Sequence, residues 1–359
     1  MAGGSGERFW PVSRRSKPKQ FVEFPWITRT LFEHAVANIS PLFTPDDIYV
    51  VTGKHQIASV LHSDAPLSQN HVLGEPFKRN TSGCIAMAAA DLLSVAGDDP
   101  SAVTMGVFPA DHFIGNPDRF RILVRAALTA AENEKALITF GNVPDRPETG
   151  YGYIETSGGA VAMAGGIPVH RAARFHEKPD SETARVYMDS GTFFWNSGMF
   201  FWRLSTLLDE LGHTAPGLLK AIEELAEARK SGDRRLFSRI FRDIKPISID
   251  YALMEKARNV LVLISDFGWD DIGTWDSFDR IGFPDENGNL AAGEPVIIDA
   301  RNCIVYNDAG QENISVGVLG VDGLAVVVTS DGVLVIPKDR AQDVRAVVSE
   351  LARRKSKSI

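Results

Sequence analysis

Short apolar runs alternate with helix-period patterns over the first half of the chain. The apolar runs have the length of buried strands, and the segments between them place apolar residues three or four positions apart. Such alternation predicts an α/β fold with a Rossmann-like, mostly parallel sheet that helices cover on both faces. The pattern predicts strands at 48–52, 103–108 and 136–141, and helices at 55–64, from an Asn80 or Thr81 cap onwards, and at 117–131.

Beyond Gly150 the alternation is less regular, and near Pro284 it changes character. Residues 285–336 contain about five short β runs separated by Asn-Gly and Asp-Gly turns, which indicates a small all-β module. We therefore predict two domains, 1–283 and 284–359. The remaining predicted elements are strands at 151–155, 168–175 and 260–264, and helices at 182–189, 217–230, 248–257 and 341–353.

The composition excludes several classes of protein. The chain has 359 residues, of which 44% are hydrophobic and 23% charged, as in ordinary globular proteins. A net charge of −8 argues against a partner such as duplex nucleic acid. No apolar run approaches the roughly 20 residues of a membrane span, and no apolar leader is present, so we expect a cytoplasmic protein. Cys84 and Cys303 are too far apart in sequence to suggest a disulfide framework.

A glycine-rich, basic segment at the N-terminal end of the chain is the strongest chemical signal. Gly3, Gly4 and Gly6 allow the backbone to approach an anion closely, because they have no Cβ. Residues 7–20 carry five basic side chains and one acidic side chain, a net charge of +4. The Gly-Lys-Ser/Thr of a P-loop is absent, and Phe9 stands where a dinucleotide fingerprint needs glycine. The segment predicts a site for a small anionic substrate.

The same segment resembles the nucleotide-binding loop of sugar-phosphate nucleotidyltransferases. The match runs from Ala2 through Phe9-Trp10-Pro11 to Pro18-Lys19-Gln20-Phe21, and these last two phrases are similar to those of mannose-1-phosphate guanylyltransferases. The resemblance extends to about residue 351 and includes the phrase at 248–256. It implies that the C-terminal module consists of a few coils of left-handed β-helix.

The sequence also leads to one expectation for each end of the chain. A buried strand should precede the glycine-rich loop, so we expect a short apolar segment upstream of Met1 in the native protein. No isomerase-like extension follows the β module, and we therefore expect the shorter form of this family rather than the bifunctional one.

The resemblance implies a reaction in which a sugar-1-phosphate oxygen attacks the α-phosphorus of a nucleoside triphosphate and pyrophosphate leaves. Such chemistry needs positioning and charge stabilisation. Amides of the three loop glycines would hold the triphosphate together with Arg8 and Lys19, while Arg14, Arg15 and Lys17 have weaker claims. Asp111 and Asp271 resemble the family's metal ligands, for Mg²⁺ or another divalent cation.

Separate segments resemble the base and sugar pockets. A carboxylate such as Glu75 can accept from both N1–H and the 2-amino group of guanine, and Asn80 accompanies it. Lys78, Ser82 and Gly83 depart from the family pattern, so the reaction type is better specified than the base. The residues that resemble the sugar-phosphate site are Gly150, Glu177, Lys178 and Asn196, the last of which we expect on a tight turn.

These features together predict an enzyme that makes GDP-mannose from GTP and mannose-1-phosphate. Another hexose-1-phosphate or another base is the nearest alternative. A catalytically silent subunit that senses a nucleotide sugar is the alternative from a different class, but such a subunit has no reason to retain both metal carboxylates. The sequence is compatible with a homodimer without specifying one.

Overall fold

The chain folds into two units, each assembled from segments that are distant in the sequence. This computed structural model describes residues 1–4, 6–96, 99–310 and 314–358. The first unit comprises Met1, Ala37–Pro109 and Asn116–Trp269. The second comprises Ala2–Val36, Ala110–Gly115 and Asp270–Ile359, so the glycine-rich loop belongs to the same unit as the C-terminal β strands.

The described residues form α-helices, short 3-10 helices, one π-helical turn at Asp250–Met254 and strands of two to eleven residues. None of the described helices combines the length and the apolar character that a membrane span requires. The helices are α1 Leu31–Ile39, α2 Ile57–Leu61, α3 Asn80–Val95, α4 Pro117–Glu134, α5 Ser181–Ser190, α6 Leu204–Thr214, α7 Pro216–Lys230, α8 Arg234–Asp243, α9 Phe278–Ile281 and α10 Val344–Arg353. The strands are β1 Val50–Gly53, β2 Val72–Glu75, β3 Thr104–Val107, β4 Phe113–Ile114, β5 Leu137–Asn142, β6 Gly152–Thr156, β7 Ala162–Ala164, β8 Ile167–Glu177, β9 Phe193–Arg203, β10 Val260–Ser265, β11 Trp269–Asp270, β12 Leu290–Ala292, β13 Val296–Ile298, β14 Ile304–Asp308, β15 Gly317–Leu319, β16 Leu324–Thr329 and β17 Val333–Pro337.

A seven-stranded sheet is the centre of the first unit. Its order is β10-β5-β9-β6-β8-β7, with β3 paired to β9 and an additional pairing between β10 and β8. The α/β class is confirmed, but the expectation of a mostly parallel sheet is wrong. Among the pairings described for this sheet, β10–β5 is parallel and the others are antiparallel. The reason is that the long strands β8 and β9, of eleven residues each, run antiparallel to their neighbours.

Helix α3 packs on α7 in the core of the first unit. Residues 82–91 of α3 are all buried, and four of them are alanines, whose small side chains allow a neighbouring helix to approach closely. The buried carboxylate of Asp91 pairs with Arg229 of α7 at 2.6 Å. The cap expected for α3 is not formed as predicted, because Asn80 already belongs to the helix and Arg79 precedes it.

The second unit contains a β-helix-like domain, as the resemblance implied. Strands β12, β14 and β16 pair in parallel, each one coil after the last, and β13 pairs in parallel with β15. Strand β17 then turns back antiparallel to β16. Val305, Val318 and Val326 fill the space between the two sheets, which explains why these short strands are rich in β-branched residues.

Two neighbouring residues of α4 test this description of the core. Leu123 is fully buried, whereas the side chain of Ile122 is half exposed. We expect Leu123→Ala to lower the free energy of unfolding by about 2–5 kcal/mol, because it leaves a cavity. The control Ile122→Ala, which removes similar atoms from the surface, should cost far less. Urea unfolding of both variants checks this, and equal losses would contradict the orientation of α4.

Candidate active site

At one position of the glycine-rich loop, Gly6, a side chain would clash with the backbone of another segment. Gly6 has φ +60°, and a Cβ placed there would lie 2.6 Å from the backbone nitrogen of Lys19. A Cβ at Gly3 would meet nothing within 4 Å, and Gly4 is also in open space but has φ +112°. The close approach at Gly6 therefore brings the loop against Lys19, while Gly3 and Gly4 leave their backbone exposed.

An aromatic cluster around Phe9 anchors the glycine-rich loop. Phe9 is fully buried and packs edge-on against Phe24 and Trp275, with ring centroids 5.2 and 5.3 Å away. Phe278 completes the contact at 5.9 Å. The indole of Trp275 also donates a hydrogen bond to the carbonyl of Trp10, at 3.4 Å. The cluster thus joins the loop to the segment that follows Asp271.

Lys19 joins the loop to both predicted metal-ligand segments. Its ammonium forms a salt bridge with Asp111 at 3.0 Å and donates to the backbone carbonyls of Asp271 and Ile272 at 3.0 and 2.8 Å. These contacts account for the three donors of an ammonium group. Arg8 reaches the same segment and donates to the carbonyl of Gly273 at 3.2 Å. The structure therefore brings Arg8, Lys19, Asp111 and Asp271 together within the second unit.

The charges around Lys19 set the ionisation of its neighbours. Burial by itself would raise the pKa of the Asp111 carboxyl, but Lys19 and His112 outweigh it and hold that pKa below its ordinary value. Burial also lowers the pKa of His112, against the opposing effect of Asp111 and Asp271. Asp111 is therefore an anion and His112 a neutral imidazole at neutral pH.

Arg14 faces away from this junction. Its guanidinium pairs with Asp331, in the turn between β16 and β17, at 2.6 Å and also bonds the carbonyl of Pro11. It lies over the Trp10 ring at 5.9 Å. Arg14 thus braces the loop against the β-helix-like domain.

Glu75, at the end of β2, is a half-buried carboxylate in the first unit, and its Oε1 atom is buried. Its Oε1 has no hydrogen-bond partner among the described residues. Burial raises the pKa of Glu75 to about 7, and Lys78 opposes this shift. Gly83 faces the carboxylate, since a Cβ there would lie 3.4 Å from Oε1. Buried acceptors normally have a hydrogen-bond partner, so Oε1 of Glu75 is a candidate acceptor for a donor of a ligand. Asn80 follows in the left-handed region, with φ 58°.

Glu177 and Asn196, at the second predicted pocket, lie close together in the first unit. Glu177 ends β8 opposite Gly152 of β6, where a Cβ would lie 2.7 Å from its Oε2 and 3.8 Å from Nδ2 of Asn196. Lys178 has φ 49° and its ammonium bonds the Glu177 carboxylate. We expected Asn196 on a tight turn, but it lies within β9. The turn-like signal comes from Gly198, which has a φ of +67° within the strand.

Gly150 occupies an exposed loop next to this pocket. Its N–H donates to Oε1 of Glu148 at 2.9 Å. The Arg146 guanidinium lies over the Trp195 ring at 4.7 Å and donates to the Tyr151 hydroxyl at 3.2 Å. The loop is therefore held by a cation–π contact, and Gly150 lies at its solvent-facing end.

Known proteins share this architecture over nearly the whole chain. A nucleotidyl transferase family model matches residues 1–284, and a MannoseP isomerase/GMP-like beta-helix domain model matches residues 293–351. Mannose-1-phosphate guanylyltransferases of Klebsiella pneumoniae and Escherichia coli are each 37% identical over 355 residues, which cover 98% of this chain and 73% of theirs. The chain belongs to the mannose-1-phosphate guanylyltransferase family.

Solved structures of other proteins are similar to this chain. A crystal structure described as mannose-1-phosphate geranyltransferase from Thermus thermophilus is 33% identical, with a TM-score of 0.84 and 98% of both chains covered. One of mannose-6-phosphate isomerase from Helicobacter pylori is 25% identical with a TM-score of 0.57, and covers 75% of this chain and 98% of that one.

Nucleotidyltransferases generally use a divalent metal ion, and the residues near Lys19 suit one. Mg²⁺ takes hard oxygen ligands, typically one or two carboxylates completed by phosphate oxygens and water. Asp111 and Asp271 provide two carboxylates on segments that meet at Lys19. The described residues contain no cluster of three or more His, Cys, Asp or Glu side chains that could hold a metal alone.

The sequence pattern did not indicate that an acidic residue, Asp250, lies next to Asn196 in this member of the mannose-1-phosphate guanylyltransferase family. Asp250 accepts a hydrogen bond from Nδ2 of Asn196 at 2.7 Å. The expected helix at 248–257 contains the π-helical turn Asp250–Met254 instead. The signal in the sequence was an acidic residue inside an apolar phrase, which periodicity alone does not connect to a strand about fifty residues earlier.

Gly6 and Gly3 provide a matched test of the loop geometry. We expect Gly6→Ala to lower the melting temperature and to impair turnover, because a Cβ there strains the backbone and pushes Lys19 away from Asp111. The control Gly3→Ala adds the same methyl group in open space and should leave the melting temperature unchanged. Thermal unfolding and steady-state assays check both variants. A Gly6→Ala protein as stable as Gly3→Ala would contradict the close approach.

Proposed function

We propose that this chain transfers GMP from GTP to mannose-1-phosphate and releases pyrophosphate. A phosphate oxygen of mannose-1-phosphate forms a bond to the α-phosphorus of GTP. The bond between that phosphorus and the oxygen bridging to the β-phosphate breaks, and pyrophosphate leaves with the electron pair. The observation that carries the proposal is the Lys19 junction, which links the glycine-rich loop to Asp111 and to the Asp271 segment.

The loop and its cations would position the triphosphate. Backbone amides of Gly3, Gly4 and Gly6 would contact phosphate oxygens, and a Cβ at Gly3 or Gly4 would meet no atom within 4 Å. Lys19 already has three acceptors, so its ammonium would contact phosphate by exchanging its bond to Asp111. Arg8 would add a second positive charge where negative charge develops.

Asp111 and Asp271 would hold Mg²⁺. When bound, the ion neutralises phosphate charge and helps to align the triphosphate. The Asp111 carboxylate is an anion at neutral pH, as a metal ligand must be. Release of Lys19 from Asp111 would leave this carboxylate free for the cation.

The base and sugar would be recognised by side chains of the first unit. Glu75 has a buried acceptor with no partner in the ranges that the structure describes. Guanine offers two adjacent donors, N1–H and the 2-amino group. Asn80 follows the same segment. For the sugar phosphate, Glu177 and Asn196 would bind hydroxyls, Lys178 would bind the phosphate, and Gly150 would contact the hexose. Because GTP is a cytoplasmic metabolite, the reaction would take place in the cytoplasm.

A pyrophosphate-release assay tests the proposal. The enzyme is incubated with Mg²⁺, each of the four nucleoside triphosphates, and mannose-1-phosphate, glucose-1-phosphate or galactose-1-phosphate. We expect the largest kcat/KM with GTP and mannose-1-phosphate. A higher value for another pair would reassign the base or the sugar. Absence of turnover with every pair, together with tight binding of GDP-mannose, would support a sensing subunit instead.

The ionisation of Glu75 gives a pH prediction. Its pKa in the free protein is raised to about 7, and the ionised form is the one that accepts two donors from guanine. We therefore expect kcat/KM for GTP to fall as the pH decreases from 8 to 6, since protonation removes an acceptor.

Glu75→Gln should abolish most of that dependence and reduce the preference for GTP over ATP. The control is Glu134→Gln, which removes an exposed carboxylate from α4 and should leave the pH profile as in the wild type. An unchanged profile and an unchanged base preference in Glu75→Gln would remove Glu75 from the base pocket.

A further inference from the structure

The phrase at 248–256 places an acidic side chain at the predicted sugar pocket. Asp250 begins the π-helical turn, in which the N–H of Glu255 donates to the carbonyl of Asp250 at 3.0 Å. Such i→i+5 turns are rare and are frequent at functional sites. Leu253 and Met254 anchor the turn in the core, while Asp250 is half-buried. The turn therefore holds one polar side chain on a rigid support.

Two hydrogen bonds with α3 fix the position of this segment. The N–H of Ile249 donates to the Thr81 hydroxyl at 2.8 Å. The N–H of Ser82 donates to the carbonyl of Ile247 at 3.3 Å. The residue before Asp250 is thus tied to the helix that follows the Glu75 segment, and Asp250 has little freedom to move.

Asp250 determines the orientation of the Asn196 amide. Nδ2 of Asn196 donates to Oδ1 of Asp250 at 2.7 Å, and Oδ1 of Asn196 accepts from the N–H of Gly198 at 3.1 Å. If the amide were flipped, its oxygen would face the carboxylate and its NH₂ would face the N–H of Gly198. Both contacts would then be repulsive, so the carboxylate and the strand backbone together select one orientation.

The oriented amide retains hydrogen-bonding capacity for a ligand. An amide has two donors and two acceptor lone pairs, and these two contacts use one of each. Glu177 lies beside it, because one Cβ position at Gly152 approaches both the Glu177 carboxylate and the Asn196 amide. Among the residues that the structure describes, one N–H and one lone pair of this amide have these partners, which leaves one of each. Together with the Glu177 carboxylate, they match the alternating donors and acceptors of adjacent sugar hydroxyls.

We propose that Asp250 is a positioning residue for the hexose, which acts by holding the Asn196 amide so that its free donor and acceptor meet adjacent hydroxyls. This inference rests on the proposed function. It assigns the acidic residue of the 248–256 phrase to recognition of the sugar rather than to phosphoryl chemistry. Its effect should therefore appear in the KM for the hexose-1-phosphate and not in that for the nucleotide.

Substitutions at Asp250 separate positioning from a structural role. Asp250→Ala should raise the KM for the accepted hexose-1-phosphate by roughly tenfold to a hundredfold, the range for loss of one hydrogen bond to a charged group. The KM for the nucleotide and kcat should stay within about threefold of the wild type. Asp250→Asn keeps an acceptor oxygen for Nδ2 and should restore most of the sugar affinity.

A double variant with its Asn196→Ala parent, and one control variant, complete the experiment. In an Asn196→Ala background, Asp250→Ala should have little additional effect on the sugar KM, because the two residues act as one unit. Glu255→Gln is the control, since Glu255 lies on the same segment near Glu177 but is not one of the two groups that bond the Asn196 amide. Melting temperatures of all variants report on folding.

The outcomes distinguish the inference from the proposed function. The sugar is first chosen as the one that the wild type turns over best, so a wild type that prefers another hexose revises only the function. An unchanged sugar KM in Asp250→Ala would overturn the positioning role. Equal losses in Asp250→Asn and Asp250→Ala would also overturn it, because they would show that the negative charge itself contacts the substrate. Additive effects with Asn196→Ala would do the same.

Discussion

The ammonium of Lys19 is the interaction on which the second unit's chemistry depends. It has three acceptors, one side-chain carboxylate and two backbone carbonyls, and they belong to two segments far from the loop in sequence. The backbone of Gly6 must approach Lys19 closely for this arrangement. A single cation thus holds together the loop, Asp111 and the Asp271 segment.

The C-terminal strands support this junction as well as extending the fold. Trp10 donates from its indole to the carbonyl of Ser358 at 2.7 Å, and Arg14 pairs with the β16–β17 turn. Phe9 shares one apolar cluster with Leu334 and Val344. Because a glycine-rich loop has little conformational preference of its own, these contacts are what gives it a defined shape. Contacts with the β-helix-like domain therefore help to define the conformation of the loop.

The first unit shows a different principle, in which partly buried carboxylates lie at the predicted base and sugar pockets. Glu75 is half-buried and its Oε1 has no hydrogen-bond partner within the described part of the chain, and burial raises its pKa to about 7. Asp250 is also partly buried, and its pKa is raised by burial although the Asn196 hydrogen bond opposes the shift. Keeping such acceptors costs stability. Their presence at the ends of strands and at a π-helical turn is characteristic of recognition sites.

The sequence by itself determined the class of fold, the family and the chemistry, because glycine-rich anion loops and strand–helix alternation are local patterns. It also located the β-rich C-terminal module through its turns. Only the tertiary structure decided the mixed direction of the sheet, since the pairing of β8 and β9 depends on contacts distant in sequence. It likewise placed Asn196 in a strand and brought Asp250 to it across 54 residues. Apolar periodicity records which side chains are buried, but not which buried polar groups meet, and that depends on how the chain packs.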